Sequence, residues 1–84
     1  MNESLNEFEV IVTTDIVKGG RNLGDTHSFY IKGDNSLKEY LNTLFSGMNT
    51  SFVSGMAVSV MPSITVTASV YQDNNQLDLQ NILA

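Results

Sequence analysis

Apolar and polar residues alternate along the first third of the chain. Between positions 8 and 16 the even positions are mostly apolar and the odd positions mostly polar, and β-branched residues are frequent. Alternation with a period of two predicts a strand that buries one face, here over residues 8–17. A second strand is predicted over 27–32, where Phe29 and Ile31 share a face. We expect these two strands to form a hairpin.

A glycine-rich segment separates the two predicted strands. Three glycines fall between positions 19 and 24, and glycine adopts positive φ angles at little cost. We therefore predict a long, mobile loop over 18–25. Lys18, Gly19, Gly20 and Arg21 form a candidate anion-binding loop within it, because backbone amides and two cations can surround an anion. The segment lacks the Gly-Lys-Ser/Thr ending of a P-loop.

One amphipathic helix follows a break at residues 33–35. Its apolar stripe has helical spacing and consists of Leu37, Tyr40, Leu41, Leu44 and Phe45. Ser36 and Glu39 fit a capping box, in which each side chain bonds the other residue's amide. The helix ends at Gly47 or continues to Gly55. An interior glycine costs about 1 kcal/mol relative to alanine, which favours the earlier end.

Alternation resumes between positions 56 and 71, with Ser and Thr at most odd positions. The even, apolar positions are Val58, Val60, Ile64, Val66, Ala68 and Val70. Pro62 interrupts them and lacks a ladder donor, so it marks a turn or an edge strand. A three-residue loop over 61–63 keeps all the valines on one face, whereas a two-residue turn at 62–63 divides them. Because register follows the buried face, we predict the three-residue loop, with one long edge strand as the alternative.

These elements predict a small α+β domain with the order β-β-α-β-β. One helix packs on an antiparallel or mixed sheet, which is the natural layer arrangement for this set. The 84 residues suffice for a single domain over 1–84. We expect residues 1–7 to be frayed and residues 72–75 to form a turn. Residues 73–84 are predicted to form a tail, either a short helix or a docked extension.

Charged residues are confined to positions 1–39 and 73–84, and none lies between 40 and 72. This neutral stretch is either an ordinary Ser/Thr sheet surface guarded by Pro62 or a surface that another chain covers, since interface cores are depleted in charge. On the second interpretation the candidate interaction residues are Asn42, Thr43, Ser59, Thr65, Thr67, Ser69 and Tyr71. Self-association or an obligate complex is then expected.

The net charge of −5 opposes binding to nucleic acid and to anionic membranes. Cysteine is absent, and His27 is the one histidine, so no catalytic, metal-binding or cofactor-binding residue is assigned. Ser28 follows His27 directly, and neighbours on an extended segment point to opposite faces. The polar start of the chain resembles no secretory signal, so we expect a cytoplasmic protein.

The sequence thus favours a non-catalytic protein-interaction module over an enzyme. Its size and acidity are typical of small accessory or inhibitory proteins, such as a phage or mobile-element product that binds a larger partner. The expected partner is another protein, a second copy of the chain, or both, with no nucleic acid and no membrane. The alternative is an oligomer that binds a small ligand or anion through the 18–25 loop.

Overall fold

The computed structural model describes residues 6–83, which form a six-stranded antiparallel sheet and two short helices. In chain order the elements are β1 (Glu7–Lys18), β2 (Arg21–Lys32), α1 (Asp34–Leu44), β3 (Thr50–Val53), β4 (Met56–Met61), β5 (Ile64–Gln72), β6 (Asn75–Gln76) and α2 (Leu79–Leu83). The strand order is β2-β1-β5-β4-β3, and β6 pairs with β5. The α+β class is confirmed. The order β-β-α-β-β with one helix is wrong, because β3, β6 and α2 add to it.

Alternate side chains of the central strands point to one side of the sheet, which we call the inner face. Both helices pack on the inner face. The core between the helices and the sheet consists of Phe8, Val10, Val12, Leu37, Leu41, Phe45, Ala57, Val66, Ala68, Val70 and Leu79. The ring of Phe29 on β2 meets that of Tyr40 on α1 edge to face, with centroids 5.2 Å apart. Partial burial raises the pKa of the Tyr40 hydroxyl above its ordinary value. The opposite side, the outer face, carries no helix among the described residues.

Helix α1 confirms the predicted apolar stripe and the predicted end before Gly47. Its last residue is Leu44, and Gly47 has a φ of 75°. The capping box is wrong: the helix begins two residues before Ser36, which therefore lies inside the first turn, and no side chain caps it. Gly33 takes the cap position with a φ of 94°, and its amide donates to the Asn6 carbonyl at 2.7 Å.

The tip of the β1–β2 hairpin is a two-residue turn rather than the long loop predicted for 18–25. Gly19 and Gly20 have φ angles of 59° and 77°, and Lys18 pairs directly with Arg21. Two consecutive positive φ angles are what the tightest hairpin turn requires, and glycine supplies both. The prediction was wrong because residues 21–25 continue the ladder despite their polar composition.

The β4–β5 hairpin turns at Pro62 and Ser63, since Met61 pairs with Ile64, so the three-residue loop and the long edge strand are both wrong. Val66, Ala68 and Val70 face the core as predicted, but Val58 and Val60 point to the outer face, and Val60 is 69% exposed. Ala57 and Ser59 fill the inner positions of β4 instead. The pattern misled because β4 is apolar on both faces and its inner side carries small residues.

Both ends of the described chain are tied to the sheet. Glu7 pairs with Lys32, and the rest of the start predicted to be frayed, residues 1–5, lies outside the described residues. After β5 the chain turns at Asp73 and Asn74 and returns as β6. Helix α2 then buries Leu79 completely. The tail therefore contributes to the core.

We expect Val66→Asp to abolish folding, whereas Thr65→Asp is tolerated. Val66 is 6% exposed, and a buried carboxylate without a partner costs several kcal/mol. Thr65 is its neighbour on the outer face and is only partly buried. Urea unfolding followed by circular dichroism measures both variants. Equal losses of stability would contradict the assignment of the two faces.

Ser59→Ala is expected to raise the free energy of unfolding by about 1 kcal/mol. Ser59 is fully buried and its Oγ has no hydrogen-bond partner among the described residues, so removing the hydroxyl relieves a desolvation cost. Ser51→Ala, at an exposed position on β3, is the matched control and should change stability little. The same urea titration applies, and a Ser59→Ala protein less stable than Ser51→Ala refutes the expectation.

Candidate interaction surfaces

Four of the seven residues predicted for an interaction surface lie together on the outer face of β5. They are Thr65, Thr67, Ser69 and Tyr71, which alternate with the inward-facing Val66, Ala68 and Val70. Thr13 and Ile11 on β1 pair with Thr67 and Ser69, and Val58 and Val60 on β4 pair with Thr67 and Thr65. The middle of the outer face is therefore neutral and made of hydroxyl and β-branched side chains.

The other three predicted residues do not join this surface. Asn42 and Thr43 are exposed on α1, which lies on the inner side of the sheet. Ser59 is completely buried in the core, so its assignment to a surface is wrong. Sequence reasoning put it there because it assumed the wrong register for β4.

The candidate anion loop consists of the exposed hairpin tip. Lys18 and Arg21 are opposite each other on the two strands, and space around Gly19 and Gly20 is open. Only the two glycines are outside the ladder, so an array of free amides across 18–25 does not form. The positive charges of Lys18 and Arg21 repel each other because the two residues are directly opposite.

The residues around His27 do not form a nucleophile and base pair. His27 Nε2 lies 3.1 Å from Asp25 Oδ2, and both side chains are largely exposed. Ser28 lies on the opposite face, where its Oγ donates to Glu9 Oε2 at 3.3 Å. Within residues 6–83, no group of three or more His, Cys, Asp or Glu side chains could hold a metal ion.

A row of four apolar residues crosses four strands at the hairpin end of the inner face. Leu23 pairs with Ile16, Ile16 with Ile64, and Ile64 with Met61. Leu23 is 50% exposed and Ile16 is 38% exposed. We call these four residues the apolar row. Sequence reasoning missed it because its members are separated along the chain and only the cross-strand pairing aligns them.

The members of the apolar row on β1 and β2 are exposed, and those on β4 and β5 are half-buried, because the helices are too short to cover the row. An 11-residue helix spans about 16 Å, whereas a 12-residue strand spans about 40 Å. Exposure on the inner face of β1 accordingly rises from the buried Val12 through the half-buried Thr14 to Ile16. The molecule measures 50 × 22 × 21 Å, and the helices cover the sheet over only part of its long dimension, so one part has two layers and the hairpin end has one.

No protein-family model, curated protein or solved structure matches the chain. None of the helices in the described part of the chain has the length and apolar character needed to cross a membrane. The chemistry of the exposed surfaces is therefore what indicates a function.

Two concave sites lie at the end of the sheet away from the apolar row. A cleft of about 270 Å³ lies between the helices and the start of β1, with Phe8, Leu37 and Leu77 among its lining residues. A larger groove of about 480 Å³ lies on the outer face and is mainly polar. Glu9, Tyr30 and Tyr71 line this groove together with residues of the β5–β6 turn.

At a protein concentration low enough to keep the chain monomeric, we expect replacement of both Lys18 and Arg21 by Ala to leave the melting temperature within a degree or two. Both side chains are exposed, and most surface substitutions of this kind change stability by less than about 0.5 kcal/mol. Thermal unfolding with and without sodium phosphate tests this. A phosphate-dependent rise in melting temperature that the double variant loses would instead support an anion site.

Proposed function

We propose that this protein is a non-catalytic protein-interaction module that associates with a second copy of itself through the apolar row. The observation that carries the proposal is the exposure of this row on the face that elsewhere forms the core. Burying an exposed aliphatic side chain contributes up to about 1.5–3 kcal/mol. A domain of this length has a thin core, so a shared interface supplies burial that the single chain lacks.

The helix layer covers only part of the sheet, and the recess this leaves at the hairpin end supports this mode of association. A helix layer is about 10 Å thick, and two packed sheets are also about 10 Å apart. The recess beyond the helices therefore has the depth that the single-layer hairpin end of a second copy needs. A two-fold axis lets each copy fill the recess of the other.

The charges beside the apolar row are self-complementary under that symmetry. Arg21, Leu23 and Asp25 follow one another on the inner face of β2, so a cation and an anion flank the apolar residue. A two-fold axis that runs along the row, perpendicular to the strands, reverses the strand direction of the second copy. Arg21 of one copy then lies over Asp25 of the other, and the interaction occurs twice. This pairing offsets the repulsion between two chains of net charge −5.

We expect Leu23→Lys to dissociate the dimer without unfolding the chain. The new charge lies within the interface, at a member of the row that is 50% exposed in the single chain, and must be desolvated there, whereas the monomer leaves it in water. Val53→Lys is the matched control, because Val53 is 51% exposed on β3 and lies outside the row. Sedimentation velocity of the purified proteins measures the masses, and circular dichroism confirms folding.

Lys at Thr67 tests the outer face of β5 by the same measurement, and Ser69 beside it is left unchanged because it is only 9% exposed. Dissociation by Thr67→Lys, with Leu23→Lys still dimeric, would move the interface to the outer face. The proposed function would be refuted if the purified protein is monomeric at high concentration and, used as bait, captures no protein from its native cell. If the chain is monomeric, co-purifies with one larger protein and loses that protein in the Leu23→Lys variant, the apolar row binds that partner instead of a second copy.

A further inference from the structure

Tyr30, Glu9 and Tyr71 form a second row, on the outer face at the opposite end of the sheet. Glu9 on β1 pairs with Tyr30 on β2 and with Tyr71 on β5, so the carboxylate lies between two aromatic side chains. All three line the groove of about 480 Å³. We propose that this groove binds an organic cation, a guanidinium or an alkylated ammonium group, between the two tyrosine rings. The site is separate from the apolar row and does not depend on it.

The strand spacing matches the geometry that a cation between two rings requires. Neighbouring strands are about 4.8 Å apart, so Tyr30 and Tyr71 stem from strands about 10 Å apart. A cation above Glu9 is then about 5 Å from each of these strands. Cations interact favourably with an aromatic face within about 6 Å of the ring centre. A ligand over Glu9 is therefore within reach of the tyrosine side chains on both neighbouring strands, and both of these side chains line the groove.

Tyr30 is too exposed, among the described residues, for core packing to account for its position. Its side chain is 65% exposed, whereas the adjacent Phe29 packs on Tyr40. An exposed tyrosine beside a groove offers a rigid, amphipathic contact surface for a ligand.

The charges around the groove favour a positive ligand. Ser28 Oγ donates to Glu9 Oε2 at 3.3 Å, which orients the carboxylate at the groove. Glu7 and Asp73 also line the groove. Lys32 on β2 pairs with Glu7 and does not line the groove. Glu9, the carboxylate between the two rings, is therefore opposite tyrosines, whereas the lysine is opposite Glu7.

An organic cation fits this site better than a metal ion does. Calcium needs six to eight oxygen ligands, and the carboxylates of residues 6–83 form no group of three close enough to hold a metal. A guanidinium or alkylated ammonium group is weakly hydrated, and aromatic faces with one carboxylate suffice to bind it.

The test is a nuclear magnetic resonance titration of the full chain with tetramethylammonium chloride and, separately, with N-acetyl-arginine amide. The ring resonances of Tyr30 and Tyr71 should shift and saturate, while those of Tyr40 on the inner side stay unchanged. Saturation by tetramethylammonium alone indicates a small-molecule ligand, and tighter binding of the arginine amide indicates a side chain of a partner protein. Either result supports the site.

Substitutions separate ring and carboxylate contributions from general charge attraction. We expect Tyr30→Leu to weaken binding about two- to fivefold and Tyr30→Phe to retain it, because only the ring face is needed. Glu9→Gln should also weaken binding, whereas Glu39→Gln on α1 should not. Shifts that sodium chloride reproduces, equal weakening by both glutamine variants, or no saturable shift of Tyr30 and Tyr71 would each overturn the proposal.

Discussion

The rest of the structure depends on how little of the sheet the helical layer can cover. Helices α1 and α2 together contain 16 residues, while β1 and β2 are each 12 residues long. The core therefore forms where Leu37, Leu41 and Leu79 reach the sheet and stops where they do not. Beyond that limit the same alternating pattern continues in β1, so its apolar side chains remain in contact with water.

Tight turns convert this alternation into aligned surfaces. At the β1–β2, β3–β4 and β5–β6 connections two consecutive residues adopt positive φ, and the strands on either side pair without an extra residue. Because no residue is inserted, side chains on neighbouring strands stay directly opposite one another. The apolar row and the Tyr30–Glu9–Tyr71 row combine such turn-connected pairs with the pairing of β1 and β5, whose register no turn sets. The apolar row lies on the inner face at the hairpin end of the sheet. The Tyr30–Glu9–Tyr71 row lies on the outer face at the opposite end.

Sequence reasoning succeeded where one element carries its own periodicity. The strand faces of β1 and β5 and the stripe of α1 were predictable, because each buries one side consistently. It failed at β4, where Met56, Ala57 and Val58 give no preferred face, and at β3, which has only four residues. The Ser54-Gly55 dipeptide was a usable signal for the β3–β4 turn. Neither candidate surface could be predicted, because each joins residues from three or four separate segments.

The pairing of β1 with β5 also has consequences for how the chain folds. Every other strand pair joins sequence neighbours, whereas these partners are roughly 50–60 residues apart, so their contact carries the largest loop-closure entropy in the sheet. Such long-range pairing slows folding relative to local hairpins. Until it forms, β1 and β5 each present an unpaired edge that the other strand fills in the native sheet. The β1–β2 hairpin of another molecule offers the same edge, which makes exchange of this arm between chains a competing route at high protein concentration.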